Sequence, residues 1–136
     1  MVDIMSFLNP RLDPQLIHAI STLGLAHIGD GVFELMVRSK LCLEGKATNK
    51  SLHKATVELV NATAQAANVP KILPLLTDEE QDVFRRGRNV SPHAVPQNTT
   101  RSDYQQATAV EALFGYLYLK GETERVEQLF AKMMEE

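Results

Sequence analysis

Two carboxylates sit where the chain is otherwise apolar. Asp30 lies inside "LGLAHIGDGVFELMV", Leu23 to Val37, pinned between Gly29 and Gly31, and Glu111 lies inside "TAVEALFGYLYL". Both segments read as helices, and burying an unpaired carboxylate on an apolar face costs roughly several kcal/mol. Each acid therefore needs a cation, a metal or strong donors beside it. Residues four apart share a helix face, so Ala26 and Asp30 line one stripe and Ala107, Glu111 and Gly115 another. Small residues beside each acid let two helices cross closely and bring the carboxylates together. Gly29 and Gly31 each weaken a helix by about 1 kcal/mol relative to alanine, which a close approach would offset. Two adjacent carboxylates repel unless a cation intervenes, and oxygen ligands with room for water suit Mg²⁺. Two acids taken alone favour a purely structural arrangement, with Asp30 on an arginine and Glu111 on backbone donors.

Other chemistries find no support in the residues. The four histidines stand singly, with no metal-ligand spacing, and no GxSxG, P-loop or Gly-rich phosphate fingerprint occurs. The single Cys42, in the apolar run "KLCLEG", reads as a core residue; being alone, it forms no internal disulfide and suits a reducing compartment. The start "MVDIMSFLNPRL" lacks the pattern of a signal peptide, and no apolar run approaches the roughly 18 residues of a membrane span. The expectation is a soluble cytoplasmic protein with no membrane partner. A net charge of −3 argues mildly against a polyanion partner, but the acids concentrate in the tail "ETERVEQLFAKMMEE". Between Phe84 and Arg101 stand four arginines and no acid, the local cationic strip that phosphate binding requires. Charge alone does not separate that role from a solvated loop.

The elements that must position these groups are helices, since no stretch alternates convincingly at period two. In "MSFLNPRLDPQLIHAIS", Asp13-Pro14 reads as an N-cap and first-turn proline. A long helix should run from about Thr22 to Leu43 and stop at Gly45. A second should run from Lys50 to about Asn68, with Leu52, Ala55, Leu59, Ala62 and Ala66 on its apolar side. Pro70 and Pro74 bracket a short turn of helix, and Thr77 caps "DEEQDVFRRG", acids first and arginines last as the helix dipole favours. The segment "RNVSPHAVPQNTT", Arg88 to Thr100, reads as a loop of a length often functional in compact domains. A helix from about Ser102 to Lys120 ends at Gly121, and a last amphipathic helix presents Val126, Leu129, Phe130 and Met133. With 136 residues and no internal repeat, the chain reads as one all-α domain.

"LAHIGDGVFE", then "RGRN", "PQNT" and "YQQATAVEALFGYLYL", in this order and spacing, resemble the Mini-ribonuclease III family, small bacterial relatives of ribonuclease III. The similarity runs from about Leu23 to the end. It implies an all-α, dimerising ribonuclease III-type endonuclease domain, without the separate double-stranded-RNA-binding domain of the larger enzymes. It implies a homodimer that cuts double-stranded RNA with Mg²⁺, for which Mn²⁺ substitutes. The implied substrate is ribosomal RNA precursor, that of the large (23S) subunit. The glycine and aspartate of the signature "ERLEFLGD" fall on Gly29 and Asp30, and its two glutamates fall on Leu23 and Ala26. In the later motif "DxxEAL" the glutamate falls on Glu111 and the aspartate on Thr108. Two of four acidic positions are thus kept, a reduction that Mini-ribonuclease III enzymes share.

On this resemblance Asp30 and Glu111 are the metal ligands and catalytic residues, supporting in-line attack by water that leaves 5′-phosphate and 3′-hydroxyl ends. Thr108, one turn before Glu111, would orient a water. Glu34, four residues after Asp30 and four before Arg38, pairs with that arginine and stands second to the metal ligands. Arg85, Arg86 and Arg88 would contact phosphates, with Asn89, Gln97 and Asn98 as polar contacts; Lys50, His53 and Lys54 are weaker candidates. Phe33 and "FGYLYL" face either the core or a dimer partner. The competing reading, motivated by the acids missing at Leu23, Ala26 and Thr108, is a non-catalytic ribonuclease III-fold module retained for RNA binding or dimerisation.

Overall fold

A computed structural model describes residues 6–45, 47–92 and 94–136; Met5 of the first segment and His93 of the long loop lie outside the described residues. In chain order the helices are α1 (Pro14–His18), α2 (Thr22–Glu44), α3 (Leu52–Val60), α4 (Ala62–Asn68), α5 (Asp78–Arg88), α6 (Arg101–Lys120) and α7 (Thr123–Met133). Two short 3₁₀ turns, Val69–Lys71 and Leu73–Leu75, carry the chain past the two prolines. The fold is all-α. Among the described residues, no helix is long and apolar enough to cross a membrane.

Local chemistry sets most helix ends. Asp13 accepts from the Gln15 amide at 3.0 Å, ahead of Pro14. Ser21 caps α2 by accepting from Gly24 N at 2.9 Å, and Gly45 closes it in the left-handed region at φ 66°. Thr77 and Glu80 form a reciprocal capping box on α5. Thr100 caps α6, which Gly121 ends at φ 83°.

The helix expected over residues 50–68 is broken. Asn61, at φ −66° and ψ 159°, ends α3 and begins α4. Its Oδ1 accepts from Ala64 N at 2.8 Å while its Nδ2 donates to the Val57 carbonyl at 2.9 Å. An asparagine side chain competes with the backbone for both kinds of partner, and here it satisfies both severed helix ends.

α6 is the centre. Eleven of its 20 residues are buried, and it packs most extensively against α2, then α5 and α4. Phe33 of α2 meets Phe114 of α6 and Phe130 of α7 edge to face, with centroids 5.6 and 5.5 Å apart. Phe33 thus faces the core. Cys42 does not: it is exposed. The buried stripe of α2 runs through Leu25, Ala26, Gly29, Phe33 and Val37, and Cys42, five residues further on, has rotated off it.

Candidate metal centre

The two acids are brought together by a backbone crossing of α2 and α6. A Cβ added to Gly29 would lie 1.7 Å from the Glu111 carbonyl oxygen, and one added to Gly115 would lie 2.0 Å from the Leu25 carbonyl oxygen. The expected close approach is therefore real at Gly29. At Gly31 it is not, since nothing lies within 4 Å of an added Cβ. Two residues apart on a helix, these glycines point in directions nearly opposed, and only one faces α6.

Across this crossing the Asp30 carboxyl adjoins that of Glu111. Asp30 is exposed and Glu111 partly buried. Burial, and then the adjoining Asp30, push the Glu111 carboxyl up to about 8, against which a bond from Gln65 pulls down. The alternative pairing of Asp30 with an arginine is not formed among the described residues, and the Glu111 carboxylate accepts from a side-chain amide. Gln65 of α4 is 1% exposed. Its Nε2 donates to Glu111 Oε2 at 3.2 Å and to the Val60 carbonyl at 2.8 Å, while its Oε1 is buried without a partner among the described residues. Sequence reasoning missed this residue; in "NATAQAAN" its only signal is an amide among alanines.

Thr108 is buried, and its hydroxyl donates back to the Tyr104 carbonyl at 2.9 Å, leaving its lone pairs as the polar function available. Glu34 pairs with Arg38 at 2.6 Å, as the spacing suggested. Leu23 is exposed and Ala26 buried. Arg85 and Arg86 both pair with Asp82, one turn upstream of the acid-free strip, the latter at 3.2 Å. Arg88 is exposed, with no ion pair among the described residues. The arginine-bearing end of α5 is fixed to α6 through Gly87, whose added Cβ would meet Ala109 Cα at 2.7 Å and the Thr108 carbonyl at 3.3 Å. This anchorage lies within a turn of Glu111 along α6. Asn89 ends α5, and Gln97 and Asn98 are exposed in the loop, Asn98 in the left-handed region at φ 67°. Lys50, His53 and Lys54 are exposed.

Among the described residues no three or more His, Cys, Asp or Glu side chains gather as a metal-binding group. The donor set is a pair. Mg²⁺ keeps several waters and commonly takes one or two carboxylates from the protein, so two adjoining carboxyls fit such an ion.

The helical order and this crossing define a ribonuclease III domain, and the family model of that description matches residues 23–122. The Mini-ribonuclease 3 of Symbiobacterium thermophilum is 43% identical over 107 residues, 79% of this chain and 82% of that one. That of Clostridium tetani is 39% identical over 125 residues, 90% of this chain and 82% of the other. A crystal structure of a Fusobacterium nucleatum protein superposes with a TM-score of 0.73 at 31% identity, covering 82% of this chain and 88% of that one. The chain belongs to the Mini-ribonuclease 3 group of the ribonuclease III domain family.

Proposed function

We propose that this protein is a divalent-metal-dependent endoribonuclease that cleaves double-stranded RNA, taking Mg²⁺ or in its place Mn²⁺, and that it matures ribosomal RNA precursor in the cytoplasm. The observation that carries this reading is the Asp30–Glu111 carboxyl pair at the Gly29–Gly115 crossing. Asp30 and Glu111 would hold the cation, which when bound supplies charge neutralisation at a phosphodiester and a lowered pKa for water. Thr108, through its lone pairs, orients water beside Glu111. Glu34 and Arg38 brace α2 behind Asp30. Arg88, with Arg85 and Arg86 released from Asp82, meets the phosphates of a duplex, whose A-form grooves are read mainly through backbone and 2′-hydroxyls. Asn89, Gln97 and Asn98 add polar contacts.

A homodimer completes the reading. An apolar groove of about 960 Å³ runs between α2 and α7, walled by Ile28, Val32, Leu35, Phe130 and Ala131. Leu35 is 60% exposed and Leu43 at the groove's end 87%. A second copy seated there would bury them and present two carboxylate pairs to the two strands of one duplex.

The test is cleavage of a duplex RNA by purified protein in Mg²⁺, in Mn²⁺ and in chelator. Fragments with 5′-phosphate ends in either metal, and none in chelator, are expected. Duplex binding without cutting in both metals would instead assign the non-catalytic binding and dimerisation module, which Leu23, Ala26 and Thr108 at acidic positions favour.

A further inference from the structure

We propose that Gln65 is a positioning residue for Glu111: its amide, clamped at the break between α3 and α4, fixes one carboxylate oxygen and reserves the other for the cation. The inference rests on the reading of Asp30 and Glu111 as metal ligands. The orientation of the amide follows from its partners. The Val60 carbonyl only accepts, so the atom 2.8 Å from it must be Nε2, and the second proton of that same nitrogen serves Glu111 Oε2 at 3.2 Å. The Val60 carbonyl is available because Asn61 ends α3 there, leaving the last carbonyls of that helix without intrahelical donors. The break that interrupts an otherwise continuous apolar pattern thus supplies the anchor.

Packing alone does not account for the residue. Gln65 is 1% exposed and its Oε1 is buried without a partner among the described residues, a desolvation cost that an apolar side chain of similar size would avoid. What an apolar side chain cannot supply is a donor to a metal-binding carboxylate. Such outer hydrogen bonds orient ligands, and their loss typically weakens metal binding about 10–100-fold.

The experiment titrates the metal-free full chain with Mn²⁺, without RNA, and reads free Mn²⁺ by electron paramagnetic resonance. Wild type is compared with Gln65→Met, which removes the donor at nearly constant volume, with Gln65→Asn, which withdraws the amide by one methylene, and with Glu111→Gln. Thermal unfolding checks each fold, and Gln65→Asn carries the test where Gln65→Met does not fold. Both Gln65 variants should bind Mn²⁺ at least about 10-fold more weakly. On duplex RNA at fixed metal, kcat should fall with KM unchanged, and saturating Mn²⁺ should restore it. Wild-type Mn²⁺ affinity and kcat in the folded Gln65 variants would overturn the inference and leave the amide a helix cap. Wild-type affinity in Glu111→Gln would instead overturn the metal-site reading, and the inference with it.

Discussion

Replacing Gly29 by alanine should separate the two helices that carry the acids. The added Cβ would stand 1.7 Å from the Glu111 carbonyl oxygen and 2.8 Å from Gly115 N. Non-bonded heavy atoms rest at about 3.5 Å, so the backbones must part by well over 1 Å. No flexible side chain is there to yield, because the atoms met are main chain on both sides. Overpacking of this kind costs about 1–3 kcal/mol, at the upper end where backbone must shift, while the helix propensity of alanine returns about 1 kcal/mol. The net loss should be about 2 kcal/mol, and the melting temperature should fall by roughly 5–10 °C. Gly31→Ala is the control. It carries the same propensity gain and meets nothing within 4 Å, so its melting temperature should equal or exceed wild type by a few degrees. Circular dichroism melts of both variants, with Mn²⁺ titrations alongside, give the answer. A Gly29→Ala protein that melts with Gly31→Ala and keeps wild-type metal affinity would refute the argument that this crossing sets the carboxylate separation.

Asp30→Asn keeps the side-chain shape and removes one charge; duplex cleavage should fall by more than about 10²-fold while gel-shift binding of the duplex stays near wild type. The raised Glu111 carboxyl makes metal-free stability greatest below the ordinary glutamate range near 4.5 and lost as pH rises through about 8, so added Mg²⁺ should raise the melting temperature more at pH 8.5 than at pH 6, which melts at the two pH values check. Glu80, 4% exposed, accepts from Arg125 Nε and Nη2 at 2.8 Å each and closes the Thr77 capping box; Glu80→Gln should destabilise the fold by about 2–4 kcal/mol by chemical denaturation. The Arg125 guanidinium holds that carboxyl below its usual value, so the stability it contributes is present above about 4.5 and lost as pH falls through the depressed value.

Helix ends were legible where one residue decides them. Thr77, Gly45, Gly121 and Asp13-Pro14 act through their own backbone and nearest neighbours, and all stand where the sequence puts them. The Asn61 break was not legible, because the apolar period runs on through Ala62 and Ala66 and an asparagine alone is compatible with a helix interior. The packing of α4 on α6 is a tertiary fact. The acids themselves were legible as carboxylates on apolar faces, but Gly29 and Gly31 are indistinguishable in sequence and separate only once α6 is in place. Gln65 is further from reach, since its meaning lies in a partner 46 residues away. The arginine strip looked free of acids because the window began after Asp82, whose carboxylate is one helical turn from Arg86.

How few acids suffice depends on how firmly they are held. Once both are ionised, Asp30 and Glu111 repel; that repulsion would relax if α2 and α6 slid apart, and the fold opposes that motion from several sides. Gly29 and Gly115 interlock the two backbones, Phe33 is wedged between Phe114 and Phe130, and Gly87 ties α5 to the opposite flank of α6 at Ala109. The stretch from Thr108 to Gly115 therefore has almost no freedom, and the unfavourable proximity stays localised on the carboxyls. A cation that binds there must displace the proton that the raised Glu111 carboxyl holds below about 8, and above that pH it also relieves the repulsion between the two carboxylates. Where larger relatives place more acids, this chain has Leu23, Ala26 and Thr108, so its affinity must come from preorganisation of two ligands instead of their number. The residues that clamp the crossing should then matter to metal binding as much as the side chains of the outer positions, and Gly29 more than any of them.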